Sequence, residues 1–390
     1  MDVLLSGASV PISTSVFTLL LDNSVAGTYV GYQHALAKES ITFTELVNLA
    51  RHGEIPVPLF FAPLPLVERQ VAAKTAKLLA GVSKDTFSIG SRSRVQLRDI
   101  ELIVKDLIRK QELLKRHDET LSRNRIIGCL SRSSVMPDDD ATRLMSELGL
   151  SHESLRSCRK KENALDLFID RLEANQVLVS RSVQNYMPQR LTHVEFSGMT
   201  IRDNKVPYIF LAGGDHGDQQ EPVGRTIFTL ALLTVLIARR IFAPMTWDGG
   251  SVDADQRVEY DIAGAMLMPA AEMRTLDLSS LDKVKQVSDD FKVTASAITV
   301  RALRLGLLDP TVATAHLDEL RSEYFARPQN NARSPIRPEN AVRKYTGREL
   351  SRRMLAVLDT SRISPGEFCR AVCLNYIRPG QINDLRKAIG

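Results

Sequence analysis

The chain has 390 residues, of which 44% are hydrophobic and 25% charged, and its formal net charge is +5. This is the composition of a soluble globular protein, and the length suffices for two or three domains, each with its own core. No positive charge precedes an apolar run at the N-terminus, which argues against a secretory signal peptide. The charge is uneven, because residues 1–37 contain no Lys or Arg, whereas residues 321–390 hold fourteen Lys and Arg against six Asp and Glu.

The stretch "GRTIFTLALLTVLIARRIFAP" contains a strongly apolar run, Thr226–Ala238, of thirteen residues without a charge. A membrane helix needs roughly 20 apolar residues, so this run is too short to cross a bilayer. The sequence therefore predicts a buried core helix here, no membrane association and a cytoplasmic protein. The four cysteines form no C-x-x-C pair, and we expect buried, reduced thiols.

Helical patterns dominate the first half of the chain. Thr42–Ala50 predicts a short helix ending at Gly53, and an extended Pro-rich segment follows it. The stretch "QLRDIELIVKDLIRKQELLKRHDETL" repeats apolar residues with nearly the period of a helix, and we expect its charges to lie on a solvated face. Further helices are expected between residues 137 and 175.

Residues 160–310 combine helices with strands. "ENALDLFIDRLEANQVLVSRS" predicts an amphipathic helix that stops at Asn175 and a strand through Val177–Val179. The strand-like runs "HVEFSGMTI" and "VPYIFLAG" flank "RDNK", and Asp203-Asn204 suits a tight hairpin. Helices are expected at Val258–Met268, at Leu281–Phe291 and in "TASAITVRALRLG". The fold class predicted is α+β, mostly helical, with a small antiparallel sheet.

The ordered pieces of residues 160–310 resemble the ImmA/IrrE family of zinc metallopeptidases. "FIDRLEANQVLV" is similar to the opening helix and strand of that domain, and "EFSGMTIRDNKVPYIFLAGGD" to its hairpin. "GRTIFTLA" resembles the start of the zinc helix, and "MLMP" resembles the end of the helix with the third ligand. Residues before and after this region resemble the long members, which carry an Xre-like helix-turn-helix at the N-terminus and a C-terminal extension.

The resemblance implies the following division of the chain. A degenerate helix-turn-helix-like module covers 1–65 and a helical connector 66–155. A degenerate zincin-like domain covers 156–312, a basic linker 313–345, and a helical C-terminal extension 346–390.

The family's chemistry requires H-E-x-x-H, in which two His residues bind zinc and the Glu is the general base. Relatives have "FTLAHELGH" where this chain has "FTLALLTVL". The two ligand positions therefore fall on Leu232 and Leu236, the base position on Leu233 and the third-ligand position on Val258. Glu259 lies one residue further on, which is about 100° around a helix. Aliphatic side chains cannot bind zinc, so we expect an inactive pseudo-peptidase without a metal or another cofactor.

Candidate binding residues lie outside these positions. The sequence around the expected recognition helix, Val16–Ala35, has no cation, so the N-terminal module is a poor DNA reader. His216, in a Gly/Asp loop, is a candidate ligand or base, with a solvated loop residue as the alternative. The basic C-terminal region offers cations that could contact nucleic acid or an acidic protein, or simply be solvated, namely Arg327, Arg333, Arg337, Arg343, Lys344, Arg348, Arg352 and Arg353.

The expected function is that of an ImmA/IrrE-like regulator or antitoxin which binds and restrains a partner protein. The resemblance suggests a toxic nuclease from a toxin–antitoxin, prophage or defence locus as the partner, with an added role in transcription. The alternatives are an active zinc metallopeptidase with non-standard ligands that cleaves a repressor, and a DNA-binding transcriptional repressor acting through the basic region.

Overall fold

A computed structural model describes residues 1–78, 97–132, 134–191, 197–213, 221–242, 244–245, 258–326 and 336–390. These residues are mostly helical and contain two small sheets. The described residues divide into two compact units, of which the first comprises residues 1–78 and 97–107 and the second the described residues from Ile108 onward.

The first unit surrounds a three-stranded sheet in the order β2-β1-β3, in which β1 pairs antiparallel with β2 and parallel with β3. Its elements are β1 (Asp2–Leu5), β2 (Ala8–Pro11), α1 (Thr14–Asp22), α2 (Val30–Lys38), β3 (Ser40–Thr42), α3 (Phe43–His52), α4 (Leu64–Leu78) and the first half of α5 (Leu97–His117).

The ends of these helices follow from local sequence. Thr42 caps α3 through a capping box, accepting a hydrogen bond from the Glu45 backbone while the Glu45 carboxylate accepts one from the Thr42 backbone. Such a reciprocal cap satisfies two amides that the first turn of a helix leaves unpaired. The helix predicted at Thr42–Ala50 is therefore confirmed.

The division predicted for the N-terminal part differs from the structure. The compact unit does not end at residue 65 but also includes α4, which packs against α1, and the first half of α5. Its core centres on Phe17, whose ring lies 5.7 Å from that of Tyr32 and 6.1 Å from that of Phe60. The sheet was not predicted, because strands of three or four residues are too short to show an alternating pattern.

The second unit contains the remaining elements. The helices are the second half of α5, α6 (Pro137–Leu148), α7 (His152–Arg156), α8 (Lys161–Ala174), α9 (Val223–Ala238), α10 (Val258–Leu267), α11 (Ala270–Met273), α12 (Leu281–Asp290), α13 (Ala295–Arg304), α14 (Pro310–Ala326), α15 (Pro338–Thr346), α16 (Arg348–Asp359), α17 (Pro365–Ala371) and α18 (Ile382–Ile389). The strands are β4 (Leu178–Arg181), β5 (Gly198–Ile201), β6 (Tyr208–Leu211) and β7 (Pro244–Met245).

The sheet of the second unit has the order β4-β6-β5-β7 and is mixed, which corrects the prediction of an antiparallel sheet. The pairs β5–β6 and β5–β7 are antiparallel, but β4 and β6 run parallel. Helix α9 packs on β5 and β6 and helix α8 on β4, and the residues facing them, such as Val179 and Ile209, join one large core. Helix α15 packs against β4 and receives the hydroxyl of Tyr208 on its Thr346 carbonyl.

The connection between β5 and β6 spans residues 202–207 and is longer than the tight turn predicted at Asp203-Asn204. The Asp203 carboxylate accepts hydrogen bonds from the backbone N–H groups of Lys205 and Val206 at 2.8 and 2.9 Å. The Asp203 side chain thus closes a turn by binding the backbone of the same loop, as Asp side chains commonly do. The loop can therefore be wider than a two-residue turn.

Helices also occupy most of the region predicted as a basic linker at 313–345. Helix α14 runs to Ala326 and packs against α13, and Pro338 starts α15 from the first helical position. Residues 327–335 lie outside the described residues. The connector from Ile108 onward, the linker and the C-terminal extension share one compact unit with the region predicted as peptidase-like, because each contributes packed helices to it.

Candidate functional site

Helix α9 carries three of the four positions that a zinc site would require. Leu232 is 4% exposed, and Leu233 and Leu236 are fully buried. The Thr234 hydroxyl donates to the Leu230 carbonyl at 2.7 Å, so this buried polar group is satisfied within the helix. The prediction of a core helix is confirmed.

Leu233, at the position that the resemblance assigns to a general base, packs against the sheet. A Cβ atom on Gly198 of β5 would lie 2.9 Å from Cδ1 of Leu233 and 2.5 Å from the Phe210 carbonyl oxygen. Real Cβ atoms do not approach other atoms so closely, so the absence of a side chain at 198 leaves room for Leu233. The two residues are complementary in shape, as expected of a close-packed interior.

The first turn of α10 crosses α9 near these leucines. The Tyr260 ring lies 6.3 Å from that of Phe228, and the Glu259 carboxylate lies 3.3 Å from Arg239. Helix α10, which begins at Val258, thus packs against α9. Val258 is half-buried and packs against the same apolar core.

Glu259 is the carboxylate nearest in sequence to the third-ligand position, and its side chain is engaged elsewhere. It forms an ion pair with Arg239, the residue that ends α9. The four aliphatic side chains themselves have no lone pair for a metal. In the part of the chain that the structure describes, no three His, Cys, Asp or Glu side chains are grouped so that they could hold a metal ion.

A buried arginine holds the turn after α10 in place. Arg301 of α13 is 4% exposed and donates from Nε to the Met268 carbonyl at 3.2 Å. Its Nη2 lies 3.2 Å from Asp138 of α6, and the other Asp138 oxygen accepts from the Ala270 backbone at 2.8 Å. The segment Met266–Pro269 is thus fixed between α6 and α13 by hydrogen bonds that leave the buried charge paired.

Glu221 lies at the N-terminal end of α9, about three turns from the leucines. Burial raises its pKa to about 7, although Arg225, at 3.9 Å, acts in the opposite direction. The carboxylate is packed against Gly213, where a Cβ atom would lie 1.7 Å from Oε2. Glu221 can therefore be neutral at physiological pH, a property often found at functional sites.

Five of the candidate basic residues have contacts within the second unit. Arg343 donates to the Ala388 carbonyl at 2.9 Å, and Arg348 donates to the Ile389 carbonyl at 2.8 Å and pairs with Asp170 at 3.3 Å. Arg352 and Arg353 both bind Glu349, and Arg353 also binds Asp118 at 2.7 Å. Lys344 also has a partner.

The remaining candidates divide into two groups. Arg337 is the residue that precedes α15, and its backbone carbonyl accepts from Ala341. Arg327, Arg333 and His216 lie outside the described residues. Most of the basic region is thus folded into helices whose cations serve the packing of this unit.

A cleft of about 850 Å³ lies between α12, α13 and α14, beside the start of α9. Its walls carry both charge signs, and several cations are already paired, Lys161 with Asp289 at 2.7 Å and Lys285 with Glu323 at 2.6 Å. Tyr324 and Phe325 form an edge-to-face pair at its border, and Phe325 is 59% exposed. The leucines of α9 do not line this cleft, so the cleft and the expected zinc position are different places.

The sequence pointed neither to this cleft nor to the raised pKa values of Glu173 and Glu221. Both carboxylates occur in ordinary polar contexts, one on an amphipathic helix and the other in a loop. Burial alone distinguishes them, and burial depends on elements distant in sequence. The glycine at position 198 could have indicated close packing, because a glycine within a strand often marks a close approach of another group.

The cysteines are free, as expected. Cys369 and Cys373 are buried, whereas Cys129 and Cys158 are half-buried. Burial raises the pKa of Cys129 to about 11 and that of Cys373 to about 12, which makes both thiols weak nucleophiles at neutral pH.

Comparison of the chain with protein-family models, with curated proteins and with solved structures found no match. Among the described helices, none combines the length and apolar character that a bilayer span requires.

Proposed function

We propose that this protein is a non-hydrolytic relative of the ImmA/IrrE peptidases that restrains a partner protein by binding it. The observation that carries this proposal is the aliphatic quartet Leu232, Leu233, Leu236 and Val258, on two helices that cross at this point. Polar ligands without a metal would be left unpaired in such a core, whereas aliphatic side chains fill the same volume. That residues 156–312 form a degenerate zincin-like domain is part of this proposal.

The cleft beside α14 is the surface that we assign to the partner. Its paired cations and anions suit a protein better than a nucleic acid, which requires cations available to phosphates. Exposed aromatic side chains such as Phe325 commonly anchor protein interfaces. The basic helices α15 and α16 use most of their arginines internally, so we do not place the partner there.

Zinc content of the purified full chain tests the loss of the metal site. We expect substoichiometric zinc by elemental analysis after exposure to excess zinc and gel filtration. One tightly bound zinc per chain would reject the pseudo-peptidase and favour the alternative, an active metallopeptidase with other ligands.

Partner binding is tested by capture from the native host, followed by binding assays with the purified captured protein. A double variant, Tyr324→Ala with Phe325→Ser, should weaken that binding at least about tenfold, as expected when interface anchors are removed. Val312→Ser is the matched control, because Val312 is an exposed apolar residue of the same helix that does not line the cleft. Equal binding by both variants would remove the cleft from the proposal.

A further inference from the structure

Glu173, at the end of α8, joins the C-terminal helices to the sheet. Its side chain is 4% exposed, and Oε2 accepts a hydrogen bond from the Glu349 backbone N–H at 3.0 Å. Residue Gly347 precedes α16 and has no side chain to cap that helix. The carboxyl group of a residue far away in sequence thus supplies the N-terminal cap of α16.

The same carboxyl group lies at the outer edge of β4. The other edge of this strand is paired with β6, so Val179 directs its N–H and carbonyl away from the sheet. The Val179 backbone acts on the Glu173 carboxyl group and lowers its pKa. A Cβ atom at Gly347 would lie 2.8 Å from the Val179 oxygen and 3.0 Å from Oε1 of Glu173.

Gly347 therefore fits this place for two reasons. Its φ of +92° belongs to a region that side chains disfavour, and the space for a side chain is taken by Val179 and Glu173. Around it, the Ser180 hydroxyl donates to the Tyr345 carbonyl and the Tyr208 hydroxyl donates to the Thr346 carbonyl at 2.7 Å. Side chains of the sheet thus hold the junction between α15 and α16 against β4.

The Oε1 atom of Glu173 is buried and accepts no hydrogen bond. A buried, half-satisfied carboxylate is costly, and the neutral acid is favoured in such a place. Burial raises the pKa of Glu173 to about 8, and Glu349 and Asp170 raise it further, while the two backbone N–H groups act against them. The charged side chains on the elements packed around it include Asp166, Asp170, Arg171, Arg181, Arg343, Lys344, Arg348, Glu349, Arg352 and Arg353.

These neighbours leave the Glu173 carboxyl group without an ion pair. Arg352 and Arg353 are bound to Glu349, Arg348 is bound to Asp170 and Arg181 lies 3.5 Å from Asp166. None of the ion pairs among the described residues includes Glu173, and Arg352, which interacts with it electrostatically, forms its ion pair with Glu349.

We propose that Glu173 is a protonation-controlled latch that holds the C-terminal helices, residues 336–390, on the edge of β4. When the latch is neutral, the α15–α16 junction stays docked. Undocking exposes the carboxyl group to water and releases its proton. Rising pH therefore favours undocking and frees the edge of β4.

The sign of the pH dependence follows from linkage. A carboxyl group whose pKa is raised in the docked state favours docking fully below its usual pKa of 4.5 and loses this effect as pH rises to about 8. Between these values one proton is released on undocking, so the opening equilibrium increases about tenfold per pH unit. Above about 8 it levels off.

Hydrogen exchange of the full chain, corrected for intrinsic rates, measures this equilibrium in peptides from α15 and α16. We expect opening to rise about tenfold per pH unit in the window below the raised pKa. Glu173→Gln keeps the shape and an acceptor for the Glu349 N–H but does not titrate, and its opening should be independent of pH. Glu162→Gln, at an exposed carboxylate in the first turn of the same helix, is the matched control and should retain the wild-type slope.

A wild type with no slope, or a Gln variant with the wild-type slope, would overturn the proposal. If Glu173→Gln does not fold, the wild-type protein alone tests the proposal, because the pH dependence of hydrogen exchange can be compared between its segments. A one-proton slope confined to residues 336–390, with α6 unaffected, supports the latch, and an equal slope in α6 rejects it.

Discussion

Leu233 stands where a zinc peptidase of the resembling type has its general base, and its side chain contacts Gly198 of β5. A glutamate there would bring a carboxylate into a fully apolar place with no cation beside it. The contact with Gly198 therefore requires an apolar residue at position 233. A glutamate at this position would require changes on the sheet as well as on the helix.

Leu233→Glu should lower the free energy of unfolding by about 3 kcal/mol or more, because an unpaired ionisable group would be buried. Urea denaturation followed by circular dichroism measures the change. Val312→Glu, on an exposed position of α14, is the control and should change stability by less than about 0.5 kcal/mol. A small effect of Leu233→Glu would mean that this position has access to water, contrary to its complete burial.

At the scale of single residues, the sequence shows which positions have aliphatic side chains where the resemblance would place metal-binding groups, but not what their neighbours do. Glu259 could have been a ligand displaced by one residue. The structure pairs it with Arg239, a contact between helices that sequence spacing does not determine.

Among the elements, the loop between β5 and β6 shows how one side chain organises a connection. Asp203 binds two backbone N–H groups and the ammonium group of Lys115, the latter at 2.6 Å. Hydrogen bonding to Asp203 raises the pKa of Lys115 although its partial burial opposes this. The loop is thereby attached to α5.

Asp203→Ala should destabilise the protein by about 1–3 kcal/mol, since two backbone hydrogen bonds and the partly buried bond to Lys115 are lost. Asp203→Asn should cost less, because its side-chain oxygen still accepts from the two backbone groups and only the ion pair with Lys115 is lost. Chemical denaturation of both variants separates the two contributions. Equal losses would assign the stabilisation to the ion pair rather than to the loop.

The helices that the sequence predicts best carry both an apolar period and an end signal, as α3 and α8 do with their residues Thr42 and Asn175. Strands β1, β2 and β3 were not predicted, and the parallel pairing of β4 with β6 was not either. Such pairings join segments distant in sequence, so no local pattern specifies them.

For the whole molecule, the balance of buried carboxyl groups determines how stability changes with pH. Glu173 and Glu221 have raised pKa values, and each favours the folded state most at low pH. Asp118 and Glu349 have lowered pKa values through bonds to arginine and threonine, which outweigh their burial, and they favour the folded state at higher pH. Stability should therefore be greatest in mildly acidic solution.

Glu221→Gln tests this balance at a second site. In the wild type, the contribution of Glu221 to the free energy of unfolding is complete below pH 4.5. It declines as pH rises to about 7, by up to about 3 kcal/mol. We expect the difference in unfolding free energy between wild type and variant to change across this window and to be constant above it. Urea titrations at several pH values measure it, and a constant difference throughout would contradict the buried position of this carboxyl group.

The sequence by itself determined the mostly helical class, the core helix α9, the aliphatic side chains at residues 232, 233, 236 and 258 and the basic character of the C-terminal region. These properties depend on residue type and on periods of a few residues, which are local. Only the tertiary structure decided that the charged residues of α5 include the buried Lys110, 4.4 Å from the Tyr345 ring centre, and that Arg348, Arg352 and Arg353 bind carboxylates. It also decided that Glu173 lies between a strand edge and a helix end. Such burial and pairing arise from contacts between residues far apart in the chain, and the free energy of a charge depends on those contacts rather than on its neighbours in sequence.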